Sequence, residues 1–215
     1  MIFTNTWLIL QKKIFPTPSS DVLFNLYRDV NPDCDRPDAA ELRRNNLRAY
    51  MATYEKPPPV FMLAEAPGPW GHRFSGVPLV SEAQLEDPDF PLEGMRTSLA
   101  DVPHSEYSAG IYWRVMGQHW PRFFTWNAVL YHPHYAGRPM SIRTPSALEV
   151  SASRCVLHTL LSELEPKYIV AVGRKAERAL LDIGVEATYV RHPSQGGAKL
   201  FASGISELFS QLIVS

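Results

Sequence analysis

Cysteine is nearly absent from this chain: Cys34 and Cys155 are the only two in 215 residues. Two thiols can build neither a disulfide framework nor a four-thiolate metal site. Both are read as reduced thiols of a cytoplasmic protein, and no metal or other cofactor is expected. Net charge is also nearly absent, at −1, so no global basic field announces nucleic acid. A protein that meets a few phosphates with backbone amides and helix N-termini needs little net charge, so DNA stays possible. Long apolar runs are missing too. The run Thr6-Trp7-Leu8-Ile9-Leu10 is too short to span a bilayer and lacks the flanks of a signal peptide, which leaves no membrane role. Repeats and low-complexity tracts are absent. What remains, 45% hydrophobic and 20% charged residues, is the composition of an ordinary globular chain, long enough for one well-buried domain. We expect one domain over 1–215, residues 1–55 forming a helical extension packed on it, and a monomer.

Short apolar runs alternate with helical patterns. Strands are expected at Val60-Phe61-Met62-Leu63, at Phe123 to Tyr131 interrupted by Asn127, at Tyr168 to Val172, and at Thr188-Tyr189-Val190. Helices are expected over Asp21 to Asp29, over Asp38 to Tyr54, and over Tyr107 to His119. Another should run from a Thr144-Pro145 start to Leu164 with Leu148 inward. Arg174 to Leu181 and Ile205 to Ile213 complete the set. Arg43, Arg44 and Arg48 read as a solvated face. Strands alternating with helices imply a three-layer α/β/α sandwich around a mainly parallel four-stranded sheet.

Three segments carry the chemistry. Ala64-Glu65-Ala66-Pro67-Gly68 and Arg191-His192-Pro193-Ser194 each follow a buried strand, at the carboxyl end where open α/β sheets bind ligands. A carboxylate and a histidine converging there suit acid–base or leaving-group chemistry. The plainer readings are a helix-capping Glu65 and a His192 bonded to backbone. Asn127 lies among strand aromatics, where a carboxamide is costly unless both ends are bonded. It either reads an amide-like edge or is satisfied by loop backbone. His132 and His134 lack the partners of a zinc site. Gly68, Gly71 and Gly76 do not space as a dinucleotide fingerprint. His104 and Glu106 read as solvent-facing.

Together these segments resemble the uracil-DNA glycosylase superfamily, over about residues 60 to 213. Glu65-Ala66-Pro67-Gly68 looks like the water-activating motif of its thermostable iron–sulfur branch. Pro67-Gly68-Pro69-Trp70-Gly71 followed by Ser75-Gly76-Val77-Pro78-Leu79 is closer to the single-strand-selective monofunctional branch. Asn127-Ala128-Val129 falls where the family places its base-reading asparagine, and His192-Pro193-Ser194 matches the second catalytic motif. Arg143-Thr144-Pro145 and Val170-Ala171-Val172-Gly173 match the connecting framework. There are departures. Tyr131 stands where the iron–sulfur branch has a ligand, so no cluster is implied. Leu79 replaces a phenylalanine that stacks on the base, a face that Trp70 or Phe74 would restore. Gln195-Gly196-Gly197 lacks a bulky wedge. Ile142 stands near the place of a covalently trapping histidine, which points to turnover.

The resemblance implies a monofunctional glycosylase of base excision repair that flips a deaminated base, uracil first, from single-stranded or mismatched DNA. Glu65, ionised without special tuning, would orient the attacking water, and His192 would donate to the base as charge develops there. Asn127 would select uracil over cytosine, with Ala66, Gly68, Trp70, Phe74 and Leu79 around the base. Pro67, Pro193, Ser194, Gln195, Gly196 and Gly197 would meet the DNA. Two other readings share these motifs: a uracil- or DNA-binding module that has lost turnover, and a hydrolase of free nucleosides.

Overall fold

The computed structural model describes residues 2–214, with side chains through 212. In chain order its elements are α1 (Thr4–Ile9), continued by a π-helical turn (Leu10–Ile14), β1 (Leu23–Phe24), α2 (Ala39–Ala52) and β2 (Val60–Ala64). Two single-turn helices follow, α3 (His72–Ser75) and α4 (Glu82–Leu85), then α5 (Tyr107–Met116) with a 3₁₀ turn (Gly117–His119). β3 (Phe123–Asn127), β4 (His132–Pro133), α6 (Ala147–Leu164), β5 (Tyr168–Val172), α7 (Arg174–Leu181), β6 (Thr188–Val190) and α8 (Ala198–Val214) complete the chain.

Four strands pair in the order β3-β2-β5-β6, all parallel. Every residue of β2 and β3 is buried. Strands hidden on both faces must have helices on both sides, which is the three-layer α/β sandwich expected from the sequence. β2 has later strands on both flanks, so the topological switch point lies at the carboxyl ends of β2 and β5. Crevices that hold ligands open at such points.

Several elements differ from expectation. Asp21 to Asp29 is not a helix. Leu23–Phe24 instead pairs antiparallel with His132–Pro133, and the Asn25 carboxamide donates to the Ile14 and Thr17 carbonyls. The apolar residues that mimic helical spacing are spent on that ribbon and on burying Leu26 and Tyr27. β3 ends at Asn127, because Ala128 and Val129 turn to donate to the Ala64 and Glu65 carbonyls. α6 starts after Ser146 rather than at Thr144-Pro145: the Ser146 hydroxyl and the Glu149 side chain form a reciprocal capping box. That start leaves Leu148 83% exposed rather than inward. α8 begins seven residues before Ile205, at Ala198. Arg43 is no solvated face. It is fully buried with Arg73 around the Asp35 carboxylate, at 2.6 and 2.5 Å.

Phe3, Leu10, Ile14, Leu26 and Tyr27 share one core cluster with the sheet. The early chain is also tied to α6, where the Glu163 carboxylate accepts from the Thr6 hydroxyl and the Asn5 amide. No helix among the described residues is long and apolar enough to cross a membrane.

Candidate active site

A cavity of about 700 Å³ opens at the carboxyl ends of the parallel strands. Each strand of the switch point delivers a loop to it. Glu65 follows β2, Gly173 follows β5, and His192 follows β6 by one residue; all three line the cavity.

Glu65 is held from the backbone. The Val129 amide donates to its carbonyl at 3.1 Å, just past the ends of β2 and β3. Its side chain is half-buried. Burial pushes the carboxyl above the usual range, while the Lys175 ammonium and a Thr144 hydrogen bond pull it partly back. The carboxylate is therefore tuned upward, contrary to the expectation that it needs no tuning.

His192 packs against a glycine that the fold requires. Gly173 adopts φ +92°, and a Cβ there would lie 3.2 Å from the His192 Cβ. The His192 Nδ1 faces the Ser194 hydroxyl at 2.8 Å and accepts from the Ser194 amide at 3.2 Å. An amide can only donate, so Nδ1 carries the lone pair and Nε2 the proton. Burial, with Arg191 nearby, lowers the imidazole to about 4. The site thus holds a neutral histidine with one N–H to offer.

Asn127 ends β3, in register with Ala64. Its Nδ2 lies 2.8 Å from His72 Nδ1, and His72 Nε2 lies 2.8 Å from the Tyr27 hydroxyl. Its buried Oδ1 has no hydrogen-bond partner among the described residues. Thus one carboxamide end is satisfied and the other is not. His72 lines the cavity, whereas Asn127, bonded to it, is not among the lining residues.

Residues 51–209 match the family model for the uracil DNA glycosylase superfamily. The chain belongs to the uracil DNA glycosylase superfamily. A search of curated proteins returns no match. Among solved structures the chain is similar to wild-type Pedobacter heparinus SMUG2, with a TM-score of 0.66 and 12% identity over 99% of both chains. At that identity the likeness speaks for the fold.

With the glycosylase fold in place, the other expected site residues separate into two groups. Ala66, Gly68, Leu79, Ser194 and Gln195 line the same cavity as Glu65 and His192. Trp70 and Phe74 do not. Phe74 is fully buried, with the Arg73 guanidinium 4.3 Å over its ring and His104 beside it. Trp70 stacks on Phe74 and is 43% exposed on the outside. Neither ring restores the face that Leu79 lacks; the aromatics at the cavity are Tyr135 and Tyr189. Pro67 and Pro193 are buried, and the Pro67 carbonyl is tied to His132 Nδ1 at 2.8 Å. The segment 195–197 is split. Gln195 and Gly196 are exposed at φ +51° and +75°, whereas Gly197 is buried where any Cβ would strike the His192 carbonyl. Gly197 therefore serves packing, and Ser194 is spent on His192 rather than left free for phosphate.

Sequence reasoning overlooked several groups at this cavity. Glu106, expected in solvent, lines it instead. Its carboxylate lies over Gly68 and Gly71, where any Cβ would collide with it, and it accepts from the Ser108 hydroxyl at 2.6 Å. Nothing in a loop sequence signals such a contact. Arg143, Arg174, Lys175 and Arg191 line the cavity, a local cluster of cations that a net charge of −1 conceals, with Arg143 paired to Glu149 and Arg174 to Glu177. His72 directly follows the glycine-rich motif, and that adjacency was the available signal.

Among the described residues no group of three or more His, Cys, Asp or Glu could hold a metal ion. An iron–sulfur cluster takes four thiolates, and with two cysteines in the whole chain the donor set does not fit one. The Tyr131 hydroxyl donates to the Ile14 carbonyl at 2.8 Å instead.

Proposed function

We propose that the protein is a monofunctional DNA glycosylase that hydrolyses the N-glycosidic bond of a deaminated base, uracil first, in base excision repair. It would act as a monomer in the cytoplasm. The observation that carries this reading is a tuned carboxylate and a neutral, Nε2-protonated histidine lining one cavity at the switch point.

Glu65 belongs on the sugar side. As the C1′–N bond breaks, its carboxylate stabilises the oxocarbenium-like sugar and takes the proton of the water that adds to C1′. His192 belongs on the base side. Its Nε2–H donates to the carbonyl oxygen that gains charge as the base leaves as an anion. Such a preorganised donor is worth roughly 3–4 kcal/mol, about 10² to 10³ in rate. Asn127 Oδ1, buried and unpartnered beside the lining residue His72, supplies an acceptor for the ring N–H of a base that reaches past that lining. Lys175 and Arg191, cations of the cavity lining, supply phosphate contacts.

Extraction is the weak step. Gln195, at the cavity edge in a left-handed conformation, is a poorer wedge than Leu or Phe. Flipping costs a few kcal/mol, and least from a strand that is already single. Single-stranded and mismatched DNA are therefore the favoured substrates.

The test uses labelled oligonucleotides carrying uracil, hypoxanthine or xanthine, with alkali to cleave abasic sites. Cleavage that Glu65→Ala and His192→Ala abolish supports the reading. Equal rates on single strands and on uracil opposite adenine would overturn the strand preference. Tight uracil-dependent binding without cleavage would replace the enzyme by a capture module, a reading that Leu79 in place of an aromatic favours.

A further inference from the structure

The carboxamide proposed to read the base is itself oriented by a hydrogen-bond chain that can run only one way. The chain begins at the Gly76 carbonyl, which can only accept. It lies 2.9 Å from the Tyr27 hydroxyl, so the one Tyr27 proton goes there. The Tyr27 oxygen then presents lone pairs to His72 Nε2 at 2.8 Å, which places the imidazole proton on Nε2. His72 Nδ1 is left with a lone pair, and it accepts from Asn127 Nδ2 at 2.8 Å. Tyr27, His72 and Asn127 are at most 2% exposed, so water cannot repair a reversed link. Burial also keeps the imidazole neutral, with its pKa lowered to about 3. Turning the Asn127 amide over would set its oxygen against the His72 lone pair, with both unsatisfied.

We infer that His72, oriented by Tyr27, is the specificity-determining positioning residue of this site. It locks Asn127 with Nδ2 toward the imidazole and Oδ1 turned away from it. A base that reaches Asn127 must then present an N–H to that oxygen. Lactam bases such as uracil and hypoxanthine supply one. Cytosine and adenine present a ring-nitrogen lone pair at that place and are rejected. This inference rests on the reading of the cavity as a base pocket. It also gives the N-terminal segment, which carries Tyr27, a part in substrate choice.

Two measurements on the full chain test it. Long-range ¹⁵N–¹H correlation spectra of the histidine side chains report the tautomer without any need for activity. His72, assigned through His72→Gln, should be neutral with its proton on Nε2, and a proton on Nδ1 would overturn the relay. Single-turnover cleavage of uracil against cytosine in single strands reads the consequence. His72→Leu should lower the uracil-to-cytosine rate ratio by about tenfold or more. Tyr27→Phe, which frees the tautomer, should lower it less, and His72→Gln, which keeps an acceptor, should preserve it. A folded His72→Leu protein with slower cleavage but an unchanged ratio would make His72 merely structural. If the wild type cleaves neither base, the glycosylase reading fails. Shifts of the Asn127 side-chain amide on adding free uracil or free cytosine then decide selectivity alone, and equal responses to both would overturn the inference.

Discussion

At the residue scale, His192 shows how little is needed to make a donor. One backbone amide and one hydroxyl from Ser194 leave its proton on the opposite nitrogen, and burial keeps it neutral. A rate that depended on an imidazolium would fall as pH rises through 6.5, the ordinary histidine value. Here no such fall is expected. In the proposed mechanism the acid limb belongs to Glu65, whose carboxyl would have to be ionised and is raised by burial. The rate should therefore drop as pH falls while still above 4.5, in a single-turnover pH profile. Ser194→Ala keeps the amide and loses the hydroxyl. Losing one such bond, about 1 kcal/mol, should slow cleavage about fivefold and lower the melting temperature by no more than about 2–4 °C. A loss equal to that of His192→Ala would mean that Ser194 acts on the substrate directly.

At the scale of elements, helix starts place the site. The Ser146–Glu149 capping box opens α6, and the same Glu149 carboxylate holds Arg143 at the cavity with contacts of 2.6 and 2.9 Å. Ser146→Ala should cost about 1 kcal/mol in denaturant titration, and an unchanged midpoint would refute the capping role. The start of α8 is tighter still. A methyl on Gly197 meets the His192 carbonyl, which is backbone and cannot swing aside. Gly197→Ala should destabilise the fold by about 1–3 kcal/mol and displace His192, lowering cleavage. The same substitution at exposed Gly196 has open space around it but requires φ +75°, so its cost is local strain. These starts were only partly legible. Thr144-Pro145 and Ser146 through Glu149 both carry helix-start chemistry, and the capping box outweighs the proline because it satisfies two orphan amides. The early segment misled for a different reason. Val22, Leu23, Leu26 and Tyr27 fit a helix by spacing, yet the β4 partner that claims Leu23 and Phe24 lies more than a hundred residues away.

On the scale of the whole molecule, two sets of buried titratable groups set the pH dependence of stability. The first is Asp35 between Arg43 of α2 and Arg73 of α3. Burial pushes the Asp35 carboxyl up, but the two guanidiniums win and hold it below its ordinary 3.8. Its stabilisation is present above that value and is lost only as pH falls through the depressed one. Asp35→Asn leaves two buried cations without their counter-charge and should cost about 3–5 kcal/mol, read as a lower denaturant midpoint. The second system is histidine. Burial lowers His72 to about 3 and His132 and His192 to about 4. Below 6.5 the unfolded chain takes up protons that the folded chain refuses, so stability should decline as pH drops from 6.5 toward 4. Equal denaturant midpoints at about pH 7 and pH 5 would show that these imidazoles are not shielded.

The alternation of apolar runs and helical patterns determined the layered α/β architecture. The order of the motifs around Glu65, Asn127 and His192 determined the family and put two of the three at strand ends. Those features are local: a strand long enough to be buried, a glycine or proline after it, a polar residue at the turn. Only the tertiary structure decided what surrounds them. It spent Phe74 on packing against Arg73, brought Glu106 and four cationic side chains to the cavity, and joined Asn127 through His72 to Tyr27. Each of those contacts spans residues far apart in the chain, and a buried polar atom takes whichever partner the packed fold brings within reach.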